Sequence, residues 1–254
     1  MKQTALITGA TSGLGYEFVQ LFAKDNYDLI LVARNEEKLE AIKSEFPHIS
    51  VTTISADLSQ PGSVRAVVND INSKGLHVNA LVNNAGFGLL GKFEELNIEK
   101  QLEMIHLNIS ALTELTHAFL PQMIRQKSGK IMNVASTAAF QPGPLMAVYY
   151  ATKAYVLSFS EALVEELKDT GVTVTTLCPG ATKTNFGAVA NVEKTKMFSS
   201  AMEAPTVATL GYEGMQKGKR VIITGSSNKI GATVAKFLPR SVGAKVAKYV
   251  AGEK

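Results

Sequence analysis

A single cysteine, Cys178, removes any intramolecular disulfide and any multi-cysteine metal site from consideration. Histidines are few, and His48, His77, His106 and His117 show no metal-ligand spacing; His106 and His117 fall on one helix face but three turns apart, too far for one ion. No apolar run approaches the roughly 20 residues needed to span a bilayer. Met1-Lys2-Gln3-Thr4 leads straight into a strand-like run, without the apolar stretch and cleavage site of a secretory leader. Charge is modest as well. The net charge of +4 on 254 residues falls far short of a dedicated nucleic-acid binder. What is present is apolar: 46% of residues, enough for a sizeable core and incompatible with intrinsic disorder. The expectation is a soluble, cytoplasmic α/β protein.

Seven short β-rich runs recur along the chain: Ala5–Thr8, Asp28–Ala33, Val51–Ser55, Ala80–Asn83, Lys130–Ala135, Val172–Cys178 and Arg220–Thr224. Most are continuously apolar, as strands covered on both faces are. Helix-period segments separate them: Leu14–Lys24, Glu36–Glu45, Gly62–Ser73, Ile98–Gln126, Val148–Thr170 and Thr206–Lys217. Pro47 and Gly171 stop the second and fifth, and Pro121 is expected to bend the fourth. Strict alternation predicts one doubly wound, Rossmann-type parallel sheet of about seven strands with helices on both faces, its ligands at the carboxyl ends of the strands. No linker divides the chain, so residues 1–225 read as one catalytic domain. The irregular stretch 181–203 reads as a substrate lid.

The first strand runs into Thr8-Gly9-Ala10-Thr11-Ser12-Gly13-Leu14-Gly15 and then a helix. Glycines there permit a tight turn and bring backbone amides to a pyrophosphate at the positive end of the helix. The spacing G-x-x-x-G-x-G at the first strand-to-helix junction points to a dinucleotide. At the tip of the second strand stands Arg34 in place of an acid, which favours NADP(H) over NAD(H): a guanidinium matches a 2′-phosphate and a carboxylate repels it. Lys38, one turn on, is a possible helper. Asp57-Leu58 and Asn84-Ala85-Gly86 follow the third and fourth strands, with the Asp suited to an adenine amino group. Either segment alone is also ordinary turn chemistry.

Tyr149 and Lys153 are four apart at the start of a helix and so share a face. An ammonium near a phenol favours the phenolate. Tyr150 is a decoy, with Ala154 four residues on. Ser136 follows the fifth strand, where its hydroxyl can bond a carbonyl oxygen. A Tyr/Lys pair alone is more simply an aromatic packed under a lysine stem. Cys178 reads as strand packing.

Taken in order, the Thr8–Gly15 pattern, Asp57-Leu58, Asn83-Asn84-Ala85-Gly86, Asn108, Ser136, Tyr149-x-x-x-Lys153 and Pro179-Gly180 resemble the short-chain dehydrogenase/reductase family, over about residues 4–225. Leu31–Leu39 and the region from Val221 resemble bacterial reductases of broad or uncharacterised range. The resemblance implies that Tyr149 is the acid/base, that Lys153 binds the nicotinamide ribose and lowers the Tyr149 pKa, and that Ser136 orients the carbonyl. It implies that Asn108 holds a water linking Lys153 to solvent, and that Thr182 and Thr184 hold the nicotinamide carboxamide. It also implies a homodimer or homotetramer.

The reaction expected is hydride exchange between NADP(H) and a carbonyl or secondary alcohol. Apolar segments Phe87–Leu90 and Phe140–Met146, with the lid around Phe186–Met202, predict a hydrophobic ketone or aldehyde. A regulator that binds NADP(H) without turnover is the rival of another class. A sugar epimerase or dehydratase fits less well, because those relatives carry a different glycine spacing and a larger C-terminal domain. Ile222–Gly231 echoes Leu6–Gly15 but has Lys229 at the second glycine, and reads as coincidence. The basic excess is local: Ser226–Lys254 holds six Lys/Arg against Glu253 alone, so residues 1–225 carry −1. Val242, Val246, Tyr249 and Val250 recur at helical spacing, predicting a tail helix docked on its own body or a sister subunit, with contact to anionic lipid or an acidic partner as the alternative.

Overall fold

The structure is a computed structural model and describes residues 2–252. In chain order its elements are β1 (Thr4–Thr8), α1 (Gly13–Lys24), β2 (Asp28–Ala33), α2 (Glu36–Glu45), β3 (Val51–Ser55), α3 (Ser63–Ser73), β4 (Ala80–Asn83), α4 (Ile98–Ile105), a π-helical turn (His106–Ala111), α5 (Leu112–Arg125), β5 (Gly129–Val134), a 3₁₀ turn (Thr137–Phe140), α6 (Ala147–Glu166) and β6 (Val172–Cys178). There follow β7 (Thr182–Lys183), α7 (Phe186–Val189), a 3₁₀ turn (Lys196–Ser200), β8 (Met202–Glu203), α8 (Ala204–Gln216), β9 (Val221–Ile223), α9 (Ser226–Phe237) and α10 (Arg240–Ala251).

Seven strands form one parallel sheet in the order β3-β2-β1-β4-β5-β6-β9. Register is set by two-sided burial. Ala5 and Ile7 of β1 enter one core with Phe18 and Phe22 of α1, Leu39 of α2 and Met215 of α8. Leu6, between them, enters the other core with Ile71 of α3, Leu115 and Phe119 of α5 and Leu163 of α6. A one-residue slip against β2, where Ile7 pairs Leu31, would exchange these faces. The chain order reverses between β1 and β4, which opens a crevice at their carboxyl ends.

Three segments depart from expectation. The fourth helix runs from Ile98 to Arg125 but widens to a π turn at His106–Ala111. The 181–203 stretch is more ordered than a bare loop: β7 and β8 pair in parallel, Met202 N–H donates to the Ala181 carbonyl at 2.9 Å, and a helical turn and a 3₁₀ turn lie between. The basic C-terminal segment forms two helices broken at Pro239, and its large residues face outward: Val242, Val246 and Tyr249 are exposed, while Gly243, Ala247 and Ala251 are buried. The expected tail helix therefore docks by its small side. Lys254 and Glu253 lie outside the described residues.

Candidate active site

A single cleft of about 1160 Å³ runs along the carboxyl edge of β1, β2, β4, β5 and β6. That exceeds the span of ~300–1,000 Å³ usual for one small ligand. Of the predicted site residues, all but Gly15 and Asn108 line it: Gly9, Thr11, Ser12, Gly13 and Leu14 at β1; Arg34 at β2; Asp57 and Leu58 at β3; Asn84, Ala85 and Gly86 at β4; Ser136, Tyr149 and Lys153; and Pro179, Gly180, Thr182 and Thr184 after β6.

The arm beside β1 is shaped by backbone. Gly9 and Gly13 hold φ of +66° and +53°, which side chains resist. A Cβ on Gly15 would lie 2.0 Å from the Gly9 carbonyl oxygen, so Gly15 lets the turn fold back onto α1. Asn84 braces the turn from beneath: its Nδ2 donates to the Thr8 carbonyl at 2.9 Å, and the amides of Asn84 and Ala85 both donate to Thr8 Oγ1 at 3.0 Å. Ser12 caps α1 without a side-chain bond, leaving the first-turn amides to an anion. At the far end, exposed Arg34 and Lys38 flank the cleft with Asp57. Burial alone would raise the Asp57 carboxyl, but the Ser59 hydroxyl and amide, and then Arg34, hold it below its ordinary range. These features fit a nicotinamide dinucleotide: a glycine cradle at a helix start, a hydrogen-bonded acid at a strand tip, and two cations beyond it.

The other arm is built on α6 and β5. Tyr149 and Lys153 are both nearly buried, at 8% and 6% exposure, on the face of α6 against the sheet. Lys153 Nζ donates to the Val134 carbonyl at 2.8 Å and stands 5.8 Å from the Tyr149 ring centroid. Burial pushes the lysine down to about 8, with Cys178 acting weakly the other way. Burial also pushes the Tyr149 phenol above its ordinary range, against a lowering by the Ser136 hydroxyl. Desolvation is the largest influence on the phenol in this cleft. Ser136 caps the 3₁₀ turn, its Oγ accepting from the Ala138 amide at 3.1 Å and donating to the Pro179 carbonyl at 3.4 Å.

Asn108 lies in the π turn behind the cleft wall. Its Nδ2 donates to the Phe87 carbonyl at 3.0 Å and to Thr152 Oγ1 at 3.1 Å, while its Oδ1 accepts from the Phe87 amide. These bonds tie the loop after β4 to α6. A helix must widen to deliver a side chain to both, as π turns at functional sites do. Gly86 is the adjacent point of close approach, where a Cβ would lie 2.9 Å from Asn108 Oδ1 and 3.6 Å from Lys153 Nζ.

Beneath the site runs a buried polar chain: Asn83 Nδ2 donates to Asn133 Oδ1 (2.9 Å) and Thr116 Oγ1 (3.0 Å), and Asn133 Nδ2 donates to Ser160 Oγ (2.9 Å). It links α5, β4, β5 and α6. Tyr150 is as buried as Tyr149 but lies flat against Gly143, where a Cβ would meet its ring at 2.2 Å. It packs there while also lining the cleft. Cys178 is buried and pushed up to about 12 by desolvation, an inert thiol.

Sequence reasoning gave no anchoring role to Thr8 and Thr152, which hold Asn84 and Asn108, and it expected one tail helix where there are two. The Ile222–Gly231 echo builds no second nucleotide fold, yet Asn228 within it closes on the site: its Nδ2 donates to the Thr224 carbonyl at 2.7 Å and sits where a Cβ on Gly180 would fall, 2.2 Å away. Asn228, Ala232, Leu238, Gly243, Val246 and Ala247 all line the cleft. The repeated Thr-Gly dipeptide was the available signal. Among the described residues no group of three His, Cys, Asp or Glu side chains is placed to hold a metal ion.

Comparison with known proteins agrees with this geometry. The family profile for short chain dehydrogenase matches residues 3–195. An uncharacterized oxidoreductase of Staphylococcus epidermidis is 33% identical over 183 residues, covering 72% of this chain and 79% of its own. A short-chain dehydrogenase from Sphingobium yanoikuyae, solved with NADPH, superposes with a TM-score of 0.82 at 32% identity, over 91% of this chain and 92% of that one. A short-chain dehydrogenase/reductase from Burkholderia phymatum, solved with NAD, does so with a TM-score of 0.81 at 25% identity, over 91% and 92%. The doubly wound sheet, the glycine cradle at its switch point and these likenesses place the chain in the short-chain dehydrogenase/reductase family, oxidoreductases that bind a nicotinamide cofactor.

Proposed function

We propose that the protein is an NADP(H)-dependent carbonyl reductase acting on an apolar ketone or aldehyde, with Tyr149 as proton donor. The observation that carries this reading is the meeting of Ser136, Tyr149 and Lys153 in the cleft whose opposite arm is the glycine cradle. Gly9–Gly15, Asp57, Leu58, Asn84–Gly86, Pro179, Gly180, Thr182 and Thr184 would hold the dinucleotide, and Arg34 with Lys38 would bind its 2′-phosphate. When bound, the cofactor supplies the hydride.

The proton comes from the chain. Desolvation keeps the Tyr149 phenol protonated at neutral pH, so it is loaded as an acid for reduction. The Ser136 hydroxyl, beside the phenol, donates to a carbonyl oxygen as charge develops on it. Lys153, cationic below about 8, favours the phenolate left after transfer and can bond the ribose. Asn108 sets the spacing of α6 against the Gly86–Phe87 loop, so it acts as a positioning residue. The substrate end is apolar, formed by Phe87, Leu89, Met146, Tyr149, Phe186 and Phe198. A Cβ on Gly88 would meet Phe186, Tyr149 and Met146 at 3.0–3.2 Å, so these side chains close directly over the loop. The cleft takes in walls from α9 and α10, so the catalytic unit is proposed to include residues beyond 225.

The test is a panel of aliphatic, aromatic and sugar carbonyls assayed with NADPH and NADH in parallel. NADPH oxidation on apolar carbonyls, lost by at least about 10³-fold in Tyr149→Phe with NADPH binding retained, is the expected result. Full turnover by Tyr149→Phe would overturn the mechanism, and preference for sugars would overturn the substrate class.

A further inference from the structure

The two C-terminal helices are built in reverse of an ordinary docked helix. Those residues they bury are small, Ala232 in α9 and Gly243, Ala247 and Ala251 in α10. Their large apolar side chains face outward: Ile230, Val234 and Phe237 are 66%, 47% and 84% exposed, and Val242, Val246 and Tyr249 are 40%, 53% and 68% exposed. Each set repeats at i, i+4 and i+7, one stripe per helix. At about 100° per residue the order around both helices is the same. The small, cleft-facing side comes first, then the exposed apolar stripe, then lysine: Lys229 and Lys236 on α9, Lys245 and Lys248 on α10.

Two further observations say what covers these stripes. Residues 226–252 contain no acid and five cations, the four lysines and Arg240, all exposed. None of the five joins an ion pair among the described residues, whereas Lys183, Lys217 and Arg220 just before them do. Second, the stripes are continuous with the cleft. Val234, Leu238 and Val246 line the cavity and are at the same time 38–53% exposed, so they form its rim. The apolar path runs from the Tyr149 end of the cleft outward over this rim.

We propose that α9 and α10 form an interfacial platform that seats the mouth of the cleft on an anionic lipid surface. The apolar stripes enter the headgroup boundary, and Lys229, Lys236, Arg240, Lys245 and Lys248 meet the anionic headgroups. Neither helix is long or apolar enough to cross a membrane, so the contact is peripheral. On the reductase reading above, an apolar carbonyl compound dissolved in the lipid would pass over Val234, Leu238 and Val246 into the site without crossing water.

The test is co-sedimentation of the full chain with vesicles of equal parts phosphatidylcholine and phosphatidylglycerol, against phosphatidylcholine alone, with sedimentation velocity in parallel. Expected are binding to the anionic vesicles that falls with added salt and a loss of about five-fold per cation removed near the surface. Lys245→Glu/Lys248→Glu should thus lose well over an order of magnitude, and Ile230→Ser/Phe237→Ser a similar amount, with unchanged mass in solution. Both pairs are exposed and off the cleft wall, so unchanged NADPH binding certifies the fold. No binding by the native chain, or binding indifferent to both variants, would overturn the proposal. So would an oligomer that dissociates in Ile230→Ser/Phe237→Ser, which would assign the face to a second copy of the chain. Vesicle binding requires no turnover, so failure of the reductase reading and failure of this one show up separately.

Discussion

Lys153→Met should stabilise the fold at neutral pH, a counter-intuitive result for a residue at the centre of the site. Lys153 is 6% exposed and its one polar partner is the Val134 carbonyl. Desolvation lowers it from 10.5 to about 8. At about 1.4 kcal/mol per pH unit, keeping this ammonium buried costs the native state ~3 kcal/mol. Methionine removes that cost, fills similar volume and leaves the Val134 carbonyl with one bond fewer, an offset of ~1 kcal/mol. The net expectation is a gain of ~2 kcal/mol. The sign with pH follows from the lowered lysine. Below about 8 both native and unfolded lysine are protonated and the cost is complete. Between about 8 and 10.5 the unfolded chain binds more protons, so stability of the native protein rises with pH and the variant's advantage shrinks; above 10.5 it is gone. Urea titrations of both proteins without cofactor, at neutral pH and in steps to pH near 10, read this directly. A variant that is less stable at neutral pH, or an advantage that does not change with pH, would refute the reasoning.

Other consequences are as direct. Gly15→Ala gains helix propensity of ~1 kcal/mol yet places a methyl group 2.0 Å from the Gly9 carbonyl; the melting temperature should fall modestly while NADPH affinity, by fluorescence titration, drops at least ~100-fold. Arg34→Asp should raise the NADPH KM by roughly tenfold or more and leave or lower that for NADH, because a carboxylate there repels the 2′-phosphate; an unmoved KM ratio would exclude Arg34 as its partner. Ser160→Ala strands the Asn133 amide in a fully buried site and should cost ~1–3 kcal/mol in urea unfolding, with catalysis by the remaining native protein little changed.

Much of this architecture was legible because parallel strands covered on both faces must be apolar at every position. Four of the seven predicted strand ranges, Asp28–Ala33, Val51–Ser55, Ala80–Asn83 and Val172–Cys178, coincide with the observed ones. Glycine positions at a strand-to-helix junction carry a steric meaning that needs no tertiary knowledge, and Gly9 and Gly13 line the cleft. The π turn at His106–Ala111 was not legible. It arises from Asn108 reaching Phe87 and Thr152, partners 21 and 44 residues away, while local propensity there is ordinary helix. Burial raises the phenol, an influence that the Tyr149/Lys153 spacing does not carry. The C-terminal stripe was read on the usual assumption that large apolar residues face inward. Small residues such as Gly243 and Ala247 leave almost no periodic signal, so the true docking side was hidden.

The bracing of the glycine turn by Asn84 also bears on how the chain is made. β1 is made before both of its sheet neighbours, and the second of them, β4, follows about 75 residues later, ~4–15 s at ordinary elongation rates. Through that interval one edge of the future central strand is unpaired, and neither Asn84 nor the Ala85 amide exists to hold Thr8 and Gly9. The nascent β1-β2-β3 unit therefore carries an unbraced glycine turn and an unpaired central edge until β4 is made.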